Sequence, residues 1–202
     1  MPAANTLEGA ALKLAKATGW LRAADLEAAN IPRVTLTRLV ARGRLERAAR
    51  GLYRIPGTGC SEHEGLIIVA RKTPRAVFCL LTALQFHGLT TQLPWQVWIG
   101  MPRGSHRPRI DHPPLRMVQF TGEAYDHGIE EHRVDGVTLR VTSAAKTVAD
   151  CFKHRNTVGL DVALEALRDV VSQRKASFDD IWRAAKVCRV DNVMRPYLDT
   201  LA

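Results

Sequence analysis

The stretch that decides the fold is Ile31–Ile55, IPRVTLTRLVARGRLERAARGLYRI, which sets seven arginines against a single glutamate. Its apolar residues change their spacing partway along. Between residues 32 and 42, Leu36, Leu39 and Val40 recur at i, i+3 and i+4, which is the spacing of one buried helix face. The first half of the stretch therefore predicts an amphipathic helix.

The second half predicts a β-hairpin. Gly43 ends the helix, because glycine readily takes the left-handed conformation that commonly follows a last helical turn. Residues 44–48 and 52–55 are two short strand-like runs around a tight turn. A short helix over residues 22–29 and a turn at residues 30–32 precede them. Helix, tight turn, second helix and basic hairpin together predict a winged helix-turn-helix domain.

Positive charge is concentrated near the N-terminus. The formal net charge is +9, and residues 1–58, with ten Lys or Arg and four Asp or Glu, carry +6 of it. A clustered basic surface attracts a polyanion and gives a salt-dependent affinity that does not depend on base sequence. The distribution favours nucleic acid as the partner, with the general solubility of a basic protein as the alternative.

The predicted second helix carries polar and basic side chains on the face away from its apolar residues. Arg38 lies opposite the apolar face, and Arg33 and Thr35 lie near the N-terminal end, where recognition helices contact base edges. Arginine suits guanine because its fork donates two hydrogen bonds in one plane. Arginines of the hairpin would contact phosphate or the minor groove and add affinity more than sequence choice. A solvated helix face is the alternative for any single residue. The predicted DNA-binding residues are Arg33, Thr35, Thr37, Arg38, Arg42, Arg44, Arg47, Arg50 and Arg54.

A Pro/Gly segment at residues 56–59 marks the best domain boundary. It separates a DNA-binding domain, residues 1–58, from a larger domain, residues 59–202. Two strand-like runs of the larger domain flank Asp135-Gly136, a strong hairpin signal because a type I′ turn needs positive φ at both positions. Roughly the last 45 residues have helical patterns, one of them after a Ser177-x-x-Asp180 capping box. We expect an α+β fold with a mainly antiparallel sheet and a helical C-terminus.

The cysteines and the N-terminus indicate a cytoplasmic protein. The chain has four widely spaced cysteines, Cys60, Cys79, Cys151 and Cys188. They form neither a CxxC motif nor a zinc-ligand spacing, so we expect reduced thiols rather than a disulfide framework. The N-terminal residues place two lysines within an apolar pattern, which predicts an amphipathic helix rather than a signal peptide or a membrane span. We expect no membrane association.

Histidines and acids near the middle of the chain raise the alternative of a metal-dependent nuclease. The group comprises Asp126, His127, Glu130, Glu131, His132 and Asp135. A nuclease needs carboxylates that converge on Mg²⁺, usually beside a lysine, and this group lacks such a spacing. The sequence also lacks a Gly-rich phosphate loop, a GxSxG motif and a Cys/His nucleophile pair. We therefore expect a protein that is not an enzyme, with no catalytic residue, no metal site and no cofactor.

A Pro-rich basic loop at residues 103–109 contains three arginines and His106. Such a loop suits a second contact with nucleic acid or the docking of a protein partner. An ordinary exposed loop is the third interpretation, and the sequence leaves all three open.

Three segments of the chain share the motifs of one known family. They are RVTLTRLVARGRLERAARGLYRIPG, residues 33–57, LLTALQFHGLT, residues 80–90, and VDGVTLRVTSAAKTVADCF, residues 134–152. The first resembles the winged-helix domain of the AbiEi family, the antitoxins of bacterial type IV toxin–antitoxin systems, which are also called transcriptional regulators of viral defence systems. The second is similar to the family's small-residue helix ending in His-Gly-Leu, and the third to a motif that leads into its helical C-terminus. The resemblance covers nearly the whole chain.

The resemblance implies a protein with two functions. The winged helix would bind inverted repeats in its own operon's promoter and repress transcription, and the larger domain would counteract a nucleotidyltransferase-like toxin encoded alongside, without a stable complex being assumed. The family position that corresponds to Arg38 lies in the recognition helix, and the family's wing arginines correspond to Arg47 and Arg50. The resemblance implies no antitoxic residue, and for Asp150 a structural and a functional role both stay open.

An inverted repeat requires two copies of the protein, one on each half-site. The sequence shows no coiled-coil helix for dimerisation, so we expect a monomer in solution that binds DNA cooperatively. The other alternative is a winged helix that has lost DNA binding and serves as a non-catalytic scaffold for protein interactions.

Overall fold

The computed structural model describes residues 4–57 and 62–201, with the side chains of residues 4 and 5 left out. It divides into two compact units. The first comprises residues 1–72 and residues 133–138, and the second comprises residues 73–132 and 139–202. The predicted boundary between residues 58 and 59 lies outside the described residues, so it stays a prediction.

The first unit contains the stretch that opens the sequence analysis. Its elements in chain order are α1 (Ala4–Thr18), β1 (Trp20–Arg22), α2 (Ala23–Ala28), α3 (Val34–Ala41), β2 (Glu46–Ala49), β3 (Leu52–Arg54) and α4 (Glu64–Lys72). The two helices predicted over residues 22–29 and 32–42 are present as α2 and α3. The two strands predicted after Gly43 are present as β2 and β3. Gly43 has φ +63°, which confirms that a left-handed glycine ends α3.

The hairpin of the first unit belongs to a three-stranded sheet with the order β1-β3-β2. Both pairings are antiparallel, with Leu21 opposite Tyr53 on one side and Arg47 opposite Tyr53 on the other. β1 was not predicted, because three residues are too few to show the alternating pattern of a strand. The third strand fixes the hairpin to the body of the unit.

An apolar core holds the helices of the first unit together. Its buried residues are Ala11, Ala15, Leu21, Leu26, Ile31, Leu36, Leu39 and Leu45. These residues come from α1, β1, α2, α3 and the segments beside α3, so every element of the unit that precedes the hairpin contributes to the core. Burial of apolar surface contributes roughly 25 cal/mol per Å², and this core therefore fixes which face of α3 points outward.

The second unit is larger and mixes strands with helices. Its elements, given with the whole of the two strands that contribute residues 133–138 to the first unit, are β4 (Val77–Phe78), α5 (Leu80–Phe86), β5 (Val97–Pro102), β6 (Leu115–Phe120), α6 (Glu123–Asp126), β7 (Ile129–Val134), β8 (Val137–Thr142), α7 (Ala144–Lys153), α8 (Arg155–Val158), α9 (Leu160–Ser172), α10 (Phe178–Cys188) and α11 (Asp191–Asp199). The predicted α+β composition and helical C-terminus are confirmed. Both capping residues, Ser143 of α7 and Ser177 of α10, accept a hydrogen bond from the third residue of the helix that follows.

The five-stranded sheet has the order β6-β5-β4-β8-β7 and is mixed. β4 pairs with β5 in antiparallel fashion, whereas β4 with β8 and β5 with β6 are parallel pairs. The prediction of a mainly antiparallel sheet is therefore wrong. Parallel neighbours need a crossover of about a dozen residues, and between β5 and β6 residues 103–114 provide it. Strand periodicity does not reveal which strands pair, so the sequence could not show this.

The described cysteines are reduced. Cys79, Cys151 and Cys188 are free and buried. Burial raises the pKa of the Cys188 thiol to about 12 and raises the pKa of Cys151 above its ordinary range. Cys60 lies outside the described residues. Within the described ranges, no helix is both long enough and apolar enough to cross a bilayer.

Candidate nucleic-acid interface

The outward face of α3 is formed by four residues spaced at three and four positions. Val34, Thr37, Arg38 and Ala41 are all exposed. Residues with this spacing are neighbours on one side of a helix. The opposite side, which includes Leu36 and Leu39, packs into the core. The prediction that Arg38 lies opposite the apolar face agrees with this arrangement.

Thr35 does not belong to the outward face. It is only 4 % exposed, and it lies with Leu36 and Leu39 on the buried side of α3. The proposed contact between Thr35 and DNA is therefore wrong. The sequence pattern placed Val40 on the buried face beside Leu36 and Leu39, but Val40 is only half-buried. The buried face of α3 contains Thr35 together with Leu36 and Leu39. Val34 is therefore the exposed residue at the start of the helix.

Four arginines on α3, in the turn after it and on the hairpin have no acidic partner among the described residues. Arg38, Arg44, Arg47 and Arg50 are exposed, and none forms an ion pair within residues 4–57 and 62–201. An exposed guanidinium group without an ion pair can bind a phosphate without first losing another partner. These four side chains place unpaired positive charge on the segment from α3 to the tip of the hairpin.

The two exposed arginines of the hairpin lie at different points along it, one on a strand and one at the turn. Arg47 lies on β2 opposite Tyr53, and the register shifts between Arg47 and Ala49, which marks a bulge. Gly51 has φ +74° and allows the tight turn that carries Arg50 at the tip. A bulge bends a strand and increases its twist, so Arg47 and Arg50 occupy different positions on a curved hairpin.

Two other predicted residues are exposed but paired. The Nε of Arg33 donates to Glu27 at 2.5 Å, and both side chains are largely exposed. Such a surface pair contributes little, so Arg33 can exchange Glu27 for a phosphate. The Nη1 of Arg42 donates to Glu8 at 2.6 Å, and the Glu8 side chain is only 11 % exposed. Arg42 therefore also fixes α1 to the end of α3.

Arg54 is enclosed rather than available. Its side chain is 15 % exposed, its Nε donates to Glu46, and its Nη1 lies 2.9 Å from Glu64. The guanidinium also lies 5.4 Å from the centre of the Trp20 ring. The hydrogen bond to Glu46 raises the pKa of Arg54. The proposed contact between Arg54 and DNA is therefore wrong, because two carboxylates in the first unit already hold this cation.

The segment with these arginines matches the model of a known family. Residues 10–56 match a family model described as "Transcriptional regulator, AbiEi antitoxin". The match includes α2, α3 and the whole hairpin, and it confirms the AbiEi resemblance for this part of the chain. The family is one of transcriptional regulators with an antitoxin function. No curated protein matches the chain.

Outside the AbiEi match, the basic loop at residues 103–109 is the crossover between the parallel strands β5 and β6. The Nη2 of Arg107 donates to the carbonyl oxygen of Leu115 at 2.8 Å, which fixes the loop to the start of β6. Arg103 and Arg109 are exposed. In the structure the loop connects β5 to β6. A contact between the loop and nucleic acid or a protein partner stays a hypothesis.

The histidine and acid group does not form a metal-binding arrangement in the described part of the chain. Within it, no three His, Cys, Asp or Glu side chains come together to hold an ion. The Nε2 of His132 lies 3.3 Å from a carboxylate oxygen of Glu130. The His132 ring packs against Phe86, with ring centres 4.8 Å apart. Contacts within the protein therefore explain the position of the His132 ring without a bound metal ion.

Asp150 is half of a buried ion pair. The Nζ of Lys146, one turn earlier on α7, lies 2.6 Å from each carboxylate oxygen, and the Cys188 thiol donates to the same carboxylate at 3.3 Å. Burial opposes the charge of Lys146, but the adjacent carboxylate outweighs it and raises the pKa of Lys146. The structure thus gives Asp150 a structural partner that the sequence pattern did not identify, although Lys146 and Asp150 have the i, i+4 spacing of a helical ion pair.

A polar cavity of about 460 Å³ opens beside this pair. Asp150 and His154 line its inner part, and Lys153, Lys186 and Arg189 line it with positive charge. Burial lowers the pKa of His154, so its ring is neutral at pH 7. Sequence reasoning missed this cavity because its residues come from separate helices that only the tertiary fold brings together.

Proposed function

We propose that the N-terminal unit is a winged helix-turn-helix and that the protein is a sequence-specific DNA-binding repressor and antitoxin of a type IV toxin–antitoxin system. It would act in the cytoplasm on inverted repeats in its own promoter and counteract a nucleotidyltransferase-like toxin. One observation carries the proposal. Four exposed arginines have no acidic partner among the described residues, and they lie on α3, in the turn after it and on the hairpin of the segment that matches the AbiEi family.

Each exposed residue has a role in this proposal. Arg38 lies at the middle of the outward face of α3, where its fork can reach O6 and N7 of guanine in the major groove. Thr37 beside it offers a hydroxyl to a base or a phosphate. Arg44, Arg47 and Arg50 contact phosphates along the duplex, which supplies affinity and positions the helix without reading sequence.

The DNA-binding half is tested by fluorescence anisotropy with a duplex that carries the region upstream of the gene, beside a scrambled duplex of equal length. Arg38→Ala should reduce the preference for the upstream duplex, because it should weaken binding to that duplex alone by about 1–3 kcal/mol. Arg168→Ala is the matched control, because Arg168 is an exposed helical arginine of the second unit. Equal binding to both duplexes by the unmodified protein would contradict the proposal.

The antitoxin half is tested in cells. The gene beside this one is expressed under an inducible promoter, with and without this protein, and growth is recorded. The proposal expects growth arrest that this protein relieves. It also expects that Arg38→Ala still relieves the arrest, since repression and antitoxicity belong to separate units. Growth arrest that persists in the presence of the unmodified protein would contradict the antitoxin function.

A protein-interaction scaffold is the second candidate, and one observation favours it. Leu93 and Trp95 of the second unit are 83 % and 77 % exposed. Large apolar side chains this exposed often mark contact sites for proteins. The scaffold predicts that Arg38→Glu together with Arg47→Glu leaves function intact. Arg42 is unsuitable for this test, because its reversal would place an acid beside the buried Glu8.

A further inference from the structure

The first residue of α3 is an exposed valine. Val34 has 51 % of its surface exposed, whereas Thr35 beside it has 4 %. A single exposed apolar residue is ordinary on a protein surface, but the position of this one is informative. Val34 precedes Thr37 and Arg38 on the same face, and it lies at the end of the helix from which recognition helices contact base edges.

We infer that Val34 contacts the 5-methyl group of a thymine in the major groove of the operator. The inference rests on the proposed function, because it needs α3 to lie in that groove. Thymine is the base that presents a methyl group there. The valine side chain carries no hydrogen-bonding group, so it can read this methyl group and none of the donors or acceptors beside it.

The energetics of the helix favour a contact outside the chain. A β-branched side chain loses rotamer freedom in a helix, and packing in a core normally compensates for that loss. Val34 obtains little such packing within its own unit, since half of its surface faces outward. Contact with a thymine methyl group would remove apolar surface of both partners from water.

The position of Arg38 predicts the arrangement of the half-site. Val34 and Arg38 are four residues apart, which is about 6 Å along a helix axis. Successive base pairs are about 3.4 Å apart. A helix that lies along the groove would therefore place the thymine read by Val34 within roughly two base pairs of the guanine read by Arg38.

Replacement of thymine by deoxyuridine tests the contact, because it removes the methyl group and keeps base pairing. Each thymine of one half-site in the upstream duplex is replaced in turn, and affinities are measured by anisotropy for the unmodified protein and for Val34→Ala. At one thymine, deoxyuridine should weaken the unmodified protein about fourfold, the effect of one buried methyl group. Val34→Ala should bind the thymine duplex equally weakly and should not respond to the replacement.

Arg38→Ala is the matched control on the same face, and it should retain the response to deoxyuridine. Val34 is exposed and alanine is a better helix former, so Val34→Ala should keep its unfolding midpoint, which circular dichroism measures. Selective binding with no response to deoxyuridine at any position, or a response that persists in Val34→Ala, would overturn the inference and leave the proposed function intact. Absence of selective binding by the unmodified protein would overturn both.

Discussion

The ammonium group of Lys146 lies 2.6 Å from both carboxylate oxygens of Asp150, and the two side chains are 0 % and 2 % exposed. Removal of one partner leaves an uncompensated charge in the interior. Asp150→Asn should therefore reduce the free energy of unfolding by about 3–5 kcal/mol, measured by urea denaturation. Lys146→Met in the same chain removes the remaining charge and should restore most of the loss.

Variants of this ion pair also distinguish a structural role from a direct role in antitoxicity. The double variant Lys146→Met, Asp150→Asn should relieve growth arrest as well as the unmodified protein does, because it keeps the fold without either charge. A folded double variant that fails to relieve the arrest would instead give Asp150 or Lys146 a direct role in antitoxicity.

Arg42 and Arg38 should differ in their effect on stability. Arg42→Ala leaves the buried carboxylate of Glu8 without its partner and should cost about 1–3 kcal/mol of unfolding free energy. Arg38→Ala removes an exposed side chain without a partner in the described residues and should change stability by less than about 0.5 kcal/mol. Thermal or urea unfolding of the two variants provides the comparison, and equal losses would show that the Glu8 contact does not hold α1 to α3.

The two threonines of α3 should also differ, this time in DNA binding. Thr35→Val should leave the affinity for the upstream duplex unchanged, since the Thr35 side chain is buried. Thr37→Val removes an exposed hydroxyl and should weaken binding about fivefold, the effect of one lost hydrogen bond. Anisotropy titrations of both variants test the orientation of α3, and the reverse order of effects would mean that the helix presents another face.

Acid should destabilise the second unit through His87 and His154. Burial lowers the pKa of both histidines below the ordinary value of 6.5. The Nε2 of His87 also donates to the carbonyl oxygen of Thr142 at 2.6 Å. Because the folded-state pKa values are lowered, the stabilisation from these neutral rings is complete above about pH 6.5 and is lost as pH falls through the folded-state values.

We expect the urea midpoint of the unmodified protein to fall between pH 7.5 and pH 5.5. The variant His87→Gln, His154→Gln should show a smaller fall, since glutamine can donate to Thr142 and does not titrate in this range. An identical pH dependence in the two proteins would mean that other groups cause the acid sensitivity.

The sequence predicts local features of this fold better than distant ones. Leu36, Leu39 and the glycine at 43 predicted α3 and its end, because a helix face and a C-terminal glycine are signals within a few residues. The parallel pairing of β5 with β6 depends on how residues 103–114 cross the sheet, which the period of either strand does not encode.

The candidate site shows the same limit within a single helix. Periodicity identified Arg38 as outward, but it did not show that the buried face of α3 includes Thr35 and that Val34 is exposed. Arg54 looked available in sequence because its partner Glu64 is ten residues away, beyond the end of the hairpin. Tertiary packing, rather than local pattern, decides which cations of a basic segment are free.

The salt dependence of selective DNA binding tests the central claim most directly. Arg44, Arg47 and Arg50, each neutralising one phosphate, should give a log–log slope of about −3 per bound monomer on the upstream duplex. Arg38→Ala should lose about 1–3 kcal/mol on that duplex alone and keep nearly the same slope. Weak binding that is equal on upstream and scrambled duplexes, and that Arg38→Ala does not change, would contradict a sequence-specific repressor.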